Sequence, residues 1–93
     1  MFYVYKYMRN LSIRKEEILY YMIEEWRGSL KTNKNGLWLT IRALQLKLKD
    51  RGIGITWPTL AMRLGELLLV GSVEKIKTSA GECWKPSKDS FQI

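Results

Sequence analysis

Apolar residues recur three and four positions apart along three segments of the chain, which is the spacing of one face of an α-helix. The first segment covers residues 13–27, with Ser12 placed to cap its start and Gly28 placed to end it. Its apolar positions are Ile18, Leu19, Met22, Ile23 and Trp26. We therefore expect a first helix over residues 13–27.

The second helix is predicted over residues 41–50, with Thr40 as its cap. Ahead of it, Asn35-Gly36 indicates a tight turn, and the apolar run at residues 37–39 predicts a few strand residues. The inward positions of the second helix are Ile41, Leu44 and Leu48. Its outward positions are Arg42, Gln45, Lys47 and Lys49.

The third helix is predicted over residues 57–70, after a turn at Gly52 and Gly54. Thr56 can cap its first turn through its hydroxyl, and Gly71 can end it in a left-handed conformation. The stripe expected in the core is Leu60, Leu64, Leu67 and Leu68. The opposite side, which could face a partner, carries Thr59, Met62, Arg63 and Glu66.

Beyond Gly71 the pattern changes to β structure. Residues 73–78 are rich in β-branched and basic side chains, residues 79–81 are small enough to turn, and residues 82–85 return as a second strand that ends at Pro86. The alternation in residues 73–78 is imperfect, so a twist or a bulge can occur there. The order of elements predicts an α+β, mainly helical fold.

Length and composition are those of one globular domain. The chain has 93 residues, of which 46% are hydrophobic and 27% charged. We divide it into an aromatic arm at residues 1–11, a core at residues 13–86 and a polar tail at residues 87–93. The arm suits a short strand or an extended segment, although a helix is not excluded. It either covers the domain's own core or pairs two chains, and we favour pairing.

Positive charge is concentrated in the later two-thirds of the chain. The net charge is +7, of which residues 1–27 carry +1 (five Lys/Arg, four Glu) and residues 28–93 carry +6 (eleven Lys/Arg, five Asp/Glu). Such a surplus on a small body favours a polyanionic partner, and the alternative is a role in solubility alone.

The side chains on which catalysis and metal binding most often depend are scarce. The sequence has no histidine and one cysteine, Cys83, which excludes a disulfide within the chain. No pair of nucleophile and base is recognisable, so we expect no enzyme, no cofactor and no metal site. Strand alternation places Cys83 and Trp84 on opposite faces. With Trp84 in the core, Cys83 would face outward, either inert or paired with its copy in a second subunit.

No apolar run approaches the roughly 20 residues that span a bilayer. The first ten residues lack the features of a signal peptide. Together with the cysteine content, this predicts an intracellular protein that does not bind membranes.

The run TWPTLAMRLGELLLVGSV leads into a basic strand and follows the helix and turn at residues 40–54. Over residues 13–86 this pattern resembles the winged helix-turn-helix proteins, the broad group that includes the MarR-like and ArsR-like transcriptional regulators. The short chain, rich in tyrosine and lysine, is also similar to small proteins of this type from viruses of hyperthermophilic archaea, which act in the host cytoplasm. The resemblance implies three helices with a two- to three-stranded antiparallel wing. It also implies a homodimer with the third helix in the major groove of DNA.

Carried onto this sequence, the resemblance implies a set of DNA-binding residues. Arg63 is the strongest candidate for a base contact, because its guanidinium can bind guanine O6 and N7 together. The residues implied to face the groove are Thr56, Trp57, Thr59, Met62 and Arg63. The wing lysines implied to bind phosphates are Lys75, Lys77 and Lys85. We expect Trp26, Trp38 and Trp84 in the core, and for Trp57 we favour packing under the helix start over contact with DNA.

The sequence therefore predicts sequence-specific binding of double-stranded DNA by a homodimeric transcriptional regulator. The alternative is a winged-helix module that docks another protein, which Met62 and the aromatic arm would suit. RNA binding remains a variant, although no stacking motif is visible.

Overall fold

The computed structural model describes residues 13–32 and 36–88. Within these residues the chain forms three helices and a three-stranded antiparallel sheet. In chain order the elements are α1 (Lys15–Ser29), β1 (Leu39–Thr40), α2 (Ile41–Asp50), α3 (Trp57–Leu69), β2 (Val73–Thr78) and β3 (Gly81–Pro86). The predicted α+β class is confirmed. The aromatic arm, Ser12, Asn35 and the end of the tail lie outside the described residues.

The sheet has the order β1-β3-β2, so β3 is the central strand. β2 and β3 pair in an unbroken register from Val73 opposite Pro86 to Thr78 opposite Gly81, and no bulge interrupts it. Directly opposed residues of an antiparallel pair point to the same side of the sheet. One side therefore carries Val73, Lys75 and Lys77 with Trp84 and Glu82, and the other carries Glu74, Ile76, Cys83 and Lys85.

All three helices contribute to the core on the first of these sides. Leu39, Val73 and Trp84 of the sheet belong to one buried cluster with residues from every helix. The helical members with almost no exposed surface are Ile18, Met22, Leu44, Leu48, Leu60, Leu64 and Leu67. Burial of apolar side chains on this scale is the main source of stability for a domain of this size.

α2 begins and ends where the sequence predicts. The side chain of Thr40 caps it by accepting a hydrogen bond of 3.1 Å from the amide of Ala43. The three positions expected to face inward, Ile41, Leu44 and Leu48, are all buried.

The bounds predicted for α1 are wrong by about two residues at each end. It begins at Lys15, with Arg14 in the capping position but no side-chain cap, and it continues through Gly28 to Ser29. Gly28 does not have a positive φ, and Ser29 stabilises the last turn by donating from its hydroxyl to the carbonyl of Trp26 at 2.7 Å. A glycine ends a helix only when it adopts the left-handed conformation.

α3 ends as predicted, because Gly71 has a φ of +77°. Two details differ from the sequence-based expectation. Leu68 is 37% exposed and Leu69 89% exposed, so these leucines lie outside the core. The hydroxyl of Thr56 bonds to the hydroxyl of Thr59 at 2.9 Å and does not cap an amide.

Across residues 13–32 and 36–88, no helix has the length and apolar character needed to cross a membrane.

Candidate nucleic-acid interface

A cleft of about 370 Å³ lies between α2 and the start of α3. Its α2 side is formed by Arg42, Gln45, Leu46 and Lys49, and its other side by Gly54, Ile55 and Thr56. Gln45 fixes the intervening turn, because its Nε2 donates to the carbonyl of Ile55 at 2.9 Å. The two cations of α2 are thereby held at a defined position relative to the first turn of α3.

A second cleft of about 270 Å³ joins the same region to the β2–β3 hairpin. Arg42 and Trp57 line it together with Ala80 and Glu82. Since Arg42 lines both clefts, they form one continuous surface. Lys77 lies opposite Glu82 in the strand register and projects from the same side of the sheet. We call the surface formed by Arg42, Lys49, Thr56, Trp57 and Lys77 the basic face.

Most other cations of the described residues are engaged by carboxylates. The ion pairs on and near α1 join Arg51 to Glu24 and Glu25, Lys47 to Glu25, and Arg14 to Glu16. Those on α3 and the hairpin join Arg63 to Glu66, Lys75 to Glu82, and Lys85 to Glu74. Arg42, Lys49 and Lys77, by contrast, form no ion pair with any carboxylate of residues 13–32 and 36–88. These three cations are therefore available to bind an anion, and the one carboxylate among the described residues that lines their clefts, Glu82, is paired with Lys75.

The four predicted groove residues other than Arg63 lie at or near the basic face. Thr56 and Trp57 are exposed and line its clefts, and Thr59 is half-buried. Trp57 is 53% exposed, so the interpretation that it packs under the helix start is wrong. Met62 is 54% exposed, one turn further along α3. An exposed tryptophan leaves a large apolar area in water, and tryptophan is enriched at surfaces that contact a partner.

Arg63 is not presented as a free guanidinium. Its Nη1 donates to Glu66 Oε1 at 2.9 Å, its side chain is only 26% exposed, and its Nε is buried without a partner among the described residues. The hydrogen bond from Arg63 lowers the pKa of Glu66 below its ordinary value, and Lys15 of α1 lowers it further. This flank of α3 therefore lies beside α1.

The three wing lysines occupy different environments. Lys77 is exposed, whereas Lys75 forms an ion pair with Glu82 at 2.9 Å and lies 5.4 Å from the ring centre of Trp84. Lys85 is 15% exposed and projects from the opposite side of the sheet. Its Nζ lies 4.8 Å from the ring centre of Trp26 and 5.3 Å from that of Trp38. The structure thus separates Lys85 from the basic face and places it in a packed position.

Trp26 and Trp84 are buried as predicted, while Trp38 is only half-buried. The expectation that Cys83 faces outward is wrong, because it is 6% exposed. It lies on the central strand, between Thr40 and Ile76 of the two flanking strands, and Thr78 Oγ1 is 3.6 Å from its sulfur. Opposed residues share one face of the sheet, so the side chains of Thr40 and Ile76 stand on either side of Cys83 and shield it. The intersubunit disulfide stays a prediction, now without the exposed thiol on which it was based.

Arg42 and Lys49 belong to the basic face but are not among the site residues predicted from the sequence. The helical pattern places both on the outward side of α2, but charge alone does not distinguish them from Lys47. The distinguishing signal is Glu25 of α1, which lies 3.3 Å from Lys47 and becomes its neighbour only in the folded chain.

No group of three or more His, Cys, Asp or Glu in the described part of the chain is arranged to hold a metal ion. A scan against protein-family models, a search of curated proteins and a search of solved structures each find no match to this chain.

Proposed function

We propose that this chain is a winged-helix protein that binds double-stranded DNA as a homodimer and regulates transcription. Its element order, with three helices followed by a hairpin whose second strand lies centrally in the sheet, is consistent with a winged-helix layout. The observation that carries the proposal is the basic face. There, Arg42 and Lys49 line the clefts at the start of α3, where Thr56 and Trp57 are exposed, and Lys77 lies opposite Glu82 of the second cleft. None of the three cations has a carboxylate partner among the described residues.

In this proposal the cations bind phosphates and set the orientation of the domain. Arg42 and Lys49 approach the DNA backbone from α2, while Lys77 approaches it from the hairpin. The first-turn amides of α3 are not capped by the side chain of Thr56, so they too can donate to a phosphate oxygen. Phosphate contacts of this kind position a protein without selecting a sequence.

Sequence selection is assigned to the exposed side of α3. The major groove is about 12 Å wide, which admits one α-helix with its side chains. Two copies related by a two-fold axis would place their α3 helices about 34 Å apart, in successive major grooves on one side of the duplex. Replication of the basic face across a dimer would double the number of phosphate contacts.

Binding to a fluorescent duplex of about two helical turns, followed by anisotropy at low salt, tests the proposal. The wild-type chain is expected to bind, and Arg42→Gln is expected to weaken binding to all duplexes alike. Lys47→Gln is the matched control, because Glu25 already compensates that charge. A wild-type chain that fails to bind any duplex at low salt would refute the proposal.

Docking to another protein is the second candidate function, and one observation favours it. The C-terminal end of α3 exposes three consecutive apolar residues, Leu68, Leu69 and Val70. Apolar patches of this kind on small domains often mark protein contacts. If docking is the function, Leu69→Glu abolishes association with the partner and Arg42→Gln has no effect. If DNA binding is the function, duplex affinity responds to Arg42→Gln.

A further inference from the structure

We infer that α3 recognises DNA chiefly through the 5-methyl groups of thymine, and not through hydrogen bonds to base edges. This inference rests on the proposed function and specifies its preferred ligand, which is duplex DNA with thymine methyl groups in the major groove. Three features of α3 support it: an apolar outward side, a polar flank with internal partners, and a glycine in open space.

The outward side of α3 has almost no hydrogen-bonding capacity. Steps of 100° per residue place four residues opposite the buried row of Leu60, Leu64 and Leu67, namely Pro58, Met62, Gly65 and Leu69. Met62 is 54% exposed and Leu69 89% exposed, and Pro58 is exposed as well. None of these side chains carries a hydrogen-bond donor. Glu66 borders this side next to Met62 and is bonded to Arg63. The apolar group that the bases present in the major groove is the methyl of thymine. Apolar side chains of a helix in that groove therefore contact this methyl.

The polar residues of α3 lie on one flank and already have partners within the chain. Thr59 is bonded to Thr56 at 2.9 Å, and Arg63 to Glu66 at 2.9 Å. The bond from Arg63 lowers the pKa of Glu66, and Lys15 of α1 lowers it further. A bidentate contact from Arg63 to guanine would require that its ion pair be broken first.

Gly65 occupies the interior of α3, where glycine weakens a helix. A Cβ at this position would meet nothing within 4 Å, and the residue does not have a positive φ. Neither packing nor backbone conformation within the described structure therefore requires glycine here. A missing side chain beside Met62 would let the helix backbone approach a base edge closely.

The charge distribution favours DNA over a protein as the occupant of this apolar side. Arg42 and Lys49 border its N-terminal end, and the hairpin adds Lys77. Thymine in a duplex offers an apolar methyl group close to the phosphates of the backbone. The methyl matches the apolar side of α3, and the phosphates match the cations beside it. Leu69 continues this side to the far end of α3, away from these cations, and Leu68 and Val70 flank it.

The test compares alternating A·T duplexes with alternating A·U duplexes, which differ by the 5-methyl group and keep the same charge and hydrogen-bonding groups. The wild-type chain is expected to bind the A·U duplex about fourfold more weakly for each thymine methyl that α3 touches. An alternating G·C duplex in which 5-methylcytosine replaces cytosine is expected to gain affinity by a similar factor. Met62→Gln is expected to bind A·T and A·U duplexes equally, while Lys77→Gln binds both more weakly and keeps the thymine preference.

Four outcomes separate the inference from the proposed function. Equal wild-type affinities for A·T and A·U duplexes overturn the inference and leave the proposed function intact. A thymine preference that survives in Met62→Gln also overturns it, because the methyl would then act through the shape of the DNA. Failure to bind any duplex ends both proposals. Should Met62→Gln change only self-association, the outward side of α3 is a protein contact and not a DNA contact.

Discussion

Arg63 and Glu66 form a closed ion pair on the flank of α3, with 2.9 Å between Nη1 of the arginine and Oε1 of the glutamate. The pair lies one turn apart on the same helix, a spacing at which opposite charges attract. The ion pair engages the guanidinium of Arg63, for which the sequence predicts a contact with guanine. Glu66 therefore competes with any contact between Arg63 and DNA.

Glu66→Ala is expected to raise affinity for duplex DNA by roughly fivefold, or about 1 kcal/mol, as Arg63 gains a phosphate contact. The fold should be preserved, since alanine is a good helix former. Fluorescence anisotropy with a labelled duplex measures the change. The control is Glu16→Ala, which removes an equal charge from an exposed pair with Arg14 on α1. Equal gains from the two variants would mean that net charge, and not release of Arg63, is responsible.

The elements predicted well from the sequence are those that local chemistry determines. Thr40 caps α2, the stripe of Ile41, Leu44 and Leu48 is buried, and Gly71 ends α3 in a left-handed conformation. Capping, helical periodicity and positive φ depend on residues within a few positions of each other. They are therefore visible in a sequence.

The features that the sequence does not predict depend on contacts between distant segments. Arg51 and Lys47 pair with acids of α1. Arg42 and Lys49 have no carboxylate partner in the described part of the chain. No local sequence pattern indicates this difference. Cys83 is buried because β3 is the central strand, which follows from the position of β1. Such facts become available only once the elements are assembled.

Gly65 and Gly71 provide a paired test of helix geometry. Both have open space around the position of a Cβ, but only Gly71 has a positive φ, at +77°. Gly65→Ala is expected to stabilise the fold by about 1 kcal/mol, whereas Gly71→Ala should destabilise it by about 1–2 kcal/mol. Urea denaturation measures both free energies of unfolding. A loss of stability in Gly65→Ala would contradict the open environment assigned to that residue.

Substitutions at Gly36 and Gly52 distinguish the cost of steric crowding from the cost of backbone strain. Gly36 has a φ of +71°, and a Cβ there would lie 2.4 Å from the ring of Trp26, while Gly52 has a φ of +81° and open space. Gly36→Ala is expected to cost about 3 kcal/mol, from strain and overpacking together. Gly52→Ala should cost about 1 kcal/mol, from strain alone. Similar decreases in thermal stability would show that Trp26 does not pack against Gly36.

Stability is expected to fall at both extremes of pH through contacts of Glu24. Hydrogen bonds from Tyr20 and then Arg51 lower the pKa of Glu24, so its stabilising contribution is present above about pH 4.5 and is lost as pH falls through the lowered pKa. The bond to Glu24 raises the pKa of Tyr20 above 10.0, so that contribution is present below pH 10.0 and is lost as pH rises through the raised pKa. In Tyr20→Phe, the midpoint of urea denaturation should depend less on pH at both ends. An unchanged alkaline limb would contradict the assigned bond.

The dependence of duplex affinity on salt tests the central claim most directly. The logarithm of the association constant should fall linearly with the logarithm of salt concentration between about 50 and 200 mM. In the triple variant Arg42→Gln, Lys49→Gln, Lys77→Gln, the slope per subunit should become shallower by about 0.9 for each cation removed. A triple variant with the wild-type slope, or a wild-type chain whose affinity does not respond to salt, would contradict DNA binding through the basic face.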